Sequence, residues 1–254
     1  SGETLGYMSA IDVIEAVRKA RNAPEPVICE RFDNLGRNGA VRRIGIMGGT
    51  FDPIHNGHLV CAEQVREDFK LHAIIFIPTG KPVFKRGKKI ASGSERLAMC
   101  RGAIADNPFF DVSSIEIDRQ GDTYTIDTLR ALRAHYPSNV ELYFIAGADA
   151  IASVSKWKDS DEMGKLARFI AVDRPGYELS EQQREAIKQS APGIDISFLT
   201  IEALAISSSE LRNRLESGRS IRYLTPQVVV DHVIEHRLYS NEEDVDGQKP
   251  YQHR

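Results

Sequence analysis

Residues 44–59 read Ile-Gly-Ile-Met-Gly-Gly-Thr-Phe-Asp-Pro-Ile-His-Asn-Gly-His-Leu. The stretch passes from a short apolar strand, Ile44–Met47, through a glycine turn and into the start of a helix. Arg42 and Arg43 lead into it. Gly48 and Gly49 let the backbone come close to a ligand. A helix N-terminus offers free N–H groups and a positive dipole end to an anion. His55 and His58, three positions apart on the first helical turn, would stand beside a phosphate held there.

Outward from this run, the chain alternates between short β-rich segments and segments with apolar spacing near 3.6. The strands are expected at Ile44–Met47, Ala73–Ile77, Phe109–Val112, Val140–Ala146, Arg168–Val172 and Ile194–Ile201. Leu59, Ala62, Val65 and Phe69 mark one helical face. Ser92 with Glu95, Ser180 with Gln183, and Ser207 with Glu210 fit the capping box that starts a helix. Thr225 before Pro226 reads as a cap followed by a first helical residue. Nearly all-apolar strands alternating with helices predict a parallel sheet covered on both faces. With right-handed crossovers this is an α/β, Rossmann-like, doubly wound sheet. Ligands bind such sheets beyond the carboxyl ends of the strands, where the glycine–histidine run lies.

The remaining sequence sets limits. The chain has 254 residues, 41% hydrophobic and 27% charged, enough for one sizeable α/β domain with an ordinary core. A net charge of −3 argues against a nucleic-acid partner. No apolar run approaches the roughly 20 residues that span a bilayer, so no membrane association is expected. The first residues lack a signal-peptide core, being interrupted by Asp12, Glu15, Arg18 and Lys19. Cys29, Cys61 and Cys100 are odd in number and unpatterned, which argues against a disulfide framework. A cytoplasmic location is the expectation. Residues 1–40 read as an N-terminal extension, with an amphipathic helix over Ser9–Arg21 and a linker over Pro24–Gly39. Residues 41–240 read as the main domain and 241–254 as a disordered polar tail.

A second anion-binding element is Ile206-Ser207-Ser208-Ser209-Glu210-Leu211-Arg212, after the last strand and opening a helix. Its N–H groups, hydroxyls and arginine suit a polyphosphate. By itself it reads more readily as an ordinary serine-capped helix with a solvated arginine, since such caps are common. No Gly-x-x-x-x-Gly-Lys-(Ser/Thr) loop occurs, and no Gly-x-Gly-x-x-Gly follows the first strand. The nucleotide is therefore expected to be consumed rather than used as a hydride carrier.

His55-Asn56-Gly57-His58 matches the (His/Thr)-x-Gly-His signature of the nucleotidyltransferase superfamily, and Gly48 to His58 resembles the bacterial nicotinate-nucleotide adenylyltransferases. Four further elements are similar to that family, so the resemblance covers about residues 43–239. It implies transfer of AMP from ATP to nicotinate mononucleotide in NAD biosynthesis, with Mg2+ accompanying ATP and no metal held by the protein. His55, His58 and Arg212 would be catalytic. Gly48, Gly49, Thr50, Phe51, Gly57, Ser207, Ser208 and Ser209 would hold ATP. Pro78-Thr79-Gly80-Lys81-Pro82-Val83-Phe84-Lys85 is similar to the acceptor loop, giving roles to Thr79, Gly80 and Lys85, although Phe84 replaces a histidine common there. Thr123, Tyr124 and Thr125 would receive the pyridine ring and its carboxylate. Gly147, Asp149 and Trp157 match another acceptor element, with Val154 in place of a leucine, and Arg174-Pro175-Gly176 is also family-like. The five cations from Lys81 to Lys89 suit either phosphate steering or a solvated loop.

Other readings have a sequence basis. Tyr124 alone reads as a core residue of the helix after it. Phosphopantetheine and CMP chemistries lack counterparts for Thr123-Tyr124-Thr125 and Trp157. Cys61 extends the first motif to His-x-x-His-x-x-Cys, an incomplete zinc set. His232-Val233-Ile234-Glu235-His236 fits the His-x-x-Glu-His of inverted zinc peptidases and puts both imidazoles on one helical face, without an evident third ligand. A non-catalytic nucleotide sensor would not require both motif histidines and Arg212. The sequence leaves a homo-oligomer open.

Overall fold

Six apolar runs become six strands, and every pairing between them is parallel. The computed structural model describes residues 27–81, 90–173, 178–202 and 204–239. The helix expected over Ser9–Arg21, the tail at 241–254, Lys85 and Arg174 lie outside the described residues. The strands are β1 (Arg42–Gly49), β2 (Ala73–Pro78), β3 (Phe110–Val112), β4 (Val140–Gly147), β5 (Arg168–Asp173) and β6 (Ile196–Thr200). All six expected strands are present, with ends that coincide or shift by at most two residues.

The helices are α1 (Asn56–Asp68), α2 (Gly93–Ala103), α3 (Thr125–His135), α4 (Ala148–Ile151), α5 (Ser160–Leu166), α6 (Glu181–Ser190), α7 (Ser208–Glu216) and α8 (Gln227–Glu235). Ser92, Ser180 and Ser207 each cap a helix through the N–H three residues on. Only Ser180 has the reciprocal glutamine bond of a full capping box. Thr225 does not cap α8. Pro226 takes that place, and the Thr225 hydroxyl donates instead to the Ile54 carbonyl at 2.8 Å.

Side chains alternate across each strand, so the sheet has two buried faces. On one, Ile44, Ile46, Ile75 and Ile77 meet Ile126, Leu129 and Leu132 of α3 and Ile187 of α6. On the other, Ile74, Phe76, Ile145 and Ile170 meet Ala62 and Val65 of α1, Met99 of α2, and Val229 and Val233 of α8. The strand order is β3-β2-β1-β4-β5-β6. The chain therefore reverses direction across the sheet between β1 and β4, which opens a crevice at their carboxyl ends.

The described part of the expected linker is docked on the domain. Ile28 and Cys29 are buried in the α3-side core. Arg31 N–H donates to Asp111 Oδ2 at 2.6 Å, and its guanidinium reaches the carbonyls of Ala105, Asn107 and Phe110. Asn and Gly there lie in turns bound to the surface, with Asn139 Nδ2 donating to the carbonyls of Gly36 and Ala40.

Candidate functional site

β1 delivers Gly48 and Gly49 to the crevice, and the chain then turns sharply. Phe51 takes a left-handed backbone (φ 51°), which costs energy for a bulky residue and is kept by the packing around it. Its buried ring meets Phe76 at a centroid distance of 5.7 Å and the edge of His58 at 5.0 Å.

His55 is the N-cap of α1 and His58 its third residue. Their rings stack with centroids 3.7 Å apart. The His55 backbone N–H donates to His58 Nδ1 at 3.2 Å. That bond makes Nδ1 an acceptor, so the neutral ring carries its proton on Nε2. His58 lines the cleft, whereas His55 is 2% exposed. Gly57 lies between them because a Cβ there would sit 3.1 Å from His55 Nδ1.

The 50–54 loop is held carbonyl by carbonyl from distant parts of the chain. Arg96 of α2 donates to Thr50 O at 2.8 Å. Arg212 of α7 donates to Asp52 O at 2.6 Å, and Ser208 to Pro53 O at 2.9 Å. The bond from Thr225 to Ile54 O completes the series. Asp52, 1% exposed, also accepts from Ala91 N–H at 3.0 Å and Tyr239 Oη at 2.6 Å, and faces Arg212 Nη1 at 3.5 Å. Burial and then the Asp52 charge push the Tyr239 phenol above its ordinary range, so it remains a donor. Burial lowers the Arg96 guanidinium, with the Asp52 charge opposing.

These bonds bring the two anion-binding elements together. α7 opens at Ser208 with Ser207 as its cap, and Arg212 also donates to Ser209 Oγ at 3.2 Å. Between α1, the ends of β1, β4 and β5 and the segment that leads from β6 to α7 lies a cleft of about 180 Å3. Met47, Gly48, Gly49, Gly57, His58 and Ile206 are among its lining residues. No carboxylate lines it among the described residues. Cys61 lines it too, but among the described residues His55, His58 and Cys61 do not form a group with ligand atoms within 4.8 Å of one another, so the His-x-x-His-x-x-Cys metal set is not assembled.

Of the expected acceptor residues, Gly147 lines the cleft and Thr79 is bonded to its Gly49. Thr79 N–H donates to Gly49 O at 2.9 Å, and Arg96 Nη2 donates to Gly80 O at 3.2 Å. Gly80 presses on the Glu116 backbone, where a Cβ would lie 2.0 Å from the carbonyl oxygen and 2.9 Å from Thr123 Oγ1. Thr123 Oγ1 is buried without a hydrogen-bond partner among the described residues. Tyr124 is the N-cap of α3 and Thr125 its first residue. The Tyr124 ring is half-buried with Lys158 Nζ 4.5 Å from its centroid. Gly147 ends β4 and Asp149 is exposed at the start of α4. Trp157 packs edge-on against Phe144 at 6.0 Å and donates to Ser153 Oγ at 3.3 Å, so much of its ring serves the core.

Asp52, Arg96, Glu116 and Tyr239 are the residues that sequence reasoning passed over. Burial pushes the Glu116 carboxyl up to about 7, against the hydrogen bond from Thr128 and the Arg119 charge. A lone arginine on a helix face or a tyrosine near the chain end carries no signal of such contacts.

The chain has relatives among known proteins. The cytidylyltransferase-like family model matches residues 46–214. A protein of Mycolicibacterium vanbaalenii named "Probable nicotinate-nucleotide adenylyltransferase" is 48% identical over 201 residues, 79% of this chain and 94% of that protein. A Thermoanaerobacter protein of the same name is 46% identical over 203 residues, 80% of this chain and 96% of its own. Among solved structures, the Plasmodium falciparum nicotinic acid mononucleotide adenylyltransferase complexed with NaAD has a TM-score of 0.63. At 22% identity, over 78% of this chain and 97% of that one, it supports the fold.

Proposed function

Because the chain belongs to the cytidylyltransferase-like family, and within it groups with the nicotinate-nucleotide adenylyltransferases, we propose that it transfers AMP from ATP to nicotinate mononucleotide. The products are nicotinate adenine dinucleotide and pyrophosphate, in NAD biosynthesis. The observation that carries this reading is the convergence of His55-Asn56-Gly57-His58 and Ser207-Ser208-Ser209 on one loop at the crevice between β1 and β4.

The acceptor phosphate is already anionic near neutral pH, its second ionisation lying near pKa 6. No general base is needed, and the reaction reduces to in-line positioning and stabilisation of charge. His58 Nε2–H, aimed into the cleft by the His55 backbone, donates to the α-phosphate. The first N–H groups of α1 and α7 receive phosphate oxygens. Gly48, Gly49, Thr50 and Phe51 form the floor for ATP, and His55 orients His58 by stacking. Arg212 holds the loop through Asp52 and presents its remaining N–H groups to the β and γ phosphates.

The acceptor sits over Thr79, Gly80 and Thr123–Thr125, with Lys85 and Arg174 contributing charge. Asp149 takes ribose hydroxyls, and Tyr124 and Trp157 border the ring. Mg2+ suits ATP here without a protein cage: the cleft lining offers no carboxylate, and Asp52 is committed to Ala91, Tyr239 and Arg212. When bound it neutralises charge on the phosphates. Residues 41–240 form the catalytic domain in this reading. A second copy of the chain is not required by it, and neither is nucleic acid. No helix among the described residues is long and apolar enough to cross a membrane, in keeping with a cytoplasmic enzyme.

Pyrophosphate release with ATP and each mononucleotide in turn tests the proposal. Release that depends on nicotinate mononucleotide supports it; release only with another acceptor, or none, refutes it.

A further inference from the structure

One motif remains outside the transfer site. His232 and His236 stand one turn apart at the end of α8, with rings stacked at 4.2 Å and 16° between planes. The third group absent from the local sequence comes from α2. His232 Nε2 lies 2.5 Å from Glu95 Oε2, and His236 Nδ1 lies 3.1 Å from Glu95 Oε1. All three potential donor atoms are within 4.8 Å of one another. None of these residues lines the nucleotide cleft.

From this geometry we propose a structural site for one Zn2+-class divalent ion, held by Glu95, His232 and His236 with solvent as the fourth ligand. Two imidazole nitrogens and one carboxylate oxygen form a set that zinc takes in tetrahedral geometry at about 2.0–2.2 Å. Ligand atoms around such an ion stand roughly 3.3 Å apart, so the carboxylate needs to retreat by less than about 1 Å. Both rings already aim a nitrogen at the same carboxylate. As hydrogen-bond donors they must use opposite nitrogens, one Nε2–H and one Nδ1–H. Imidazole lone pairs lie in the ring plane, so to share one ion the two rings, now 16° from parallel, would also have to swing apart while presenting those same two nitrogens. Imidazole ligands favour zinc, cobalt or nickel over magnesium and calcium.

The His-x-x-Glu-His pattern of α8 is thus completed by Glu95 rather than by Glu235. The ion would fasten α2 to α8 where both support the transfer loop. Arg96, next to Glu95, holds Thr50 O, and Tyr239, just beyond α8, holds Asp52.

The test titrates chelator-treated full chain with Zn2+ by calorimetry and records Co2+ absorption and Tm, without ATP. One equivalent should bind, Co2+ should show a tetrahedral visible band, and saturating Zn2+ at about 100 Kd should raise Tm by roughly 5–10 °C. The same Mg2+ concentration should do neither. Binding should vanish in H232Q/H236Q and in E95Q, with circular dichroism confirming that both variants fold, and persist in C61S. Absence of stoichiometric Zn2+ binding overturns the proposal. So does binding unchanged in H232Q/H236Q, or binding lost in C61S, which would place the ion at the first motif.

Discussion

Arg212 Nη1 donates to the Asp52 carbonyl at 2.6 Å while the Asp52 carboxylate faces it at 3.5 Å, across 160 positions of sequence. The pair joins the start of α7 to the turn before α1, so each anion-binding element depends on the other for its placement. A buried carboxylate also accepting from Ala91 and Tyr239 makes the junction rigid. Arg212 therefore has two tasks, holding the loop and meeting phosphate.

Arg212→Ala removes the facing cation and leaves the Asp52 charge buried with its two neutral donors and the field of Arg96. Breaking one side of a buried pair is costly, and the expected loss is roughly 2–4 kcal/mol of stability. Urea denaturation measures it. A loss below about 0.5 kcal/mol would show that the pair is incidental to the loop.

Gly80→Ala should disturb the acceptor side. Its Cβ would fall 2.0 Å from the Glu116 carbonyl oxygen, so backbone must move. Overpacking of this kind costs roughly 1–3 kcal/mol. The acceptor KM should rise several-fold while the KM for ATP changes little; equal changes in both would contradict the assignment of this loop.

The Glu116 carboxyl, pushed up to about 7 by burial, ties stability to pH. The folded chain keeps this proton more tightly than the unfolded chain, whose carboxyl ionises near the ordinary 4.5. Stability from this group is complete below pH 4.5, falls as pH rises towards 7, and is gone above that. The span amounts to roughly 3 kcal/mol. Glu116→Gln should remove this slope, so its stability relative to the parent climbs between about pH 4.5 and 7 and then levels. Parallel pH profiles of the two proteins in urea denaturation would refute it.

The strands were legible in the sequence because each is a short apolar run, buried on both faces, between turn signals. Their spatial order was not, since nothing in Ile44–Met47 states that β4 rather than β3 lies on its far side. The glycine–histidine and triple-serine runs announced themselves through local spacing at helix starts. Asp52, Arg96 and Tyr239 did not, because their roles arise from contacts across tens to nearly two hundred residues. Glu95 gave a helix-cap signal and nothing of its meeting with His232. Thr225 misled because a hydroxyl before a proline reads as a cap, whereas the folded chain uses it to hold Ile54. The stretch Pro24–Gly39 looked like a linker by composition, yet Ile28, Cys29 and Arg31 bind its described part to the domain.

The central claim is that His58 Nε2–H, aimed by the His55 backbone, stabilises charge on the phosphate being transferred. Steady-state pyrophosphate release from ATP and nicotinate mononucleotide by His58→Ala, alongside its melting temperature, tests it most directly. The account predicts a kcat lower by roughly 100-fold or more, with Tm within a few degrees of the parent. A His58→Ala protein that turns over at the parent rate would contradict it.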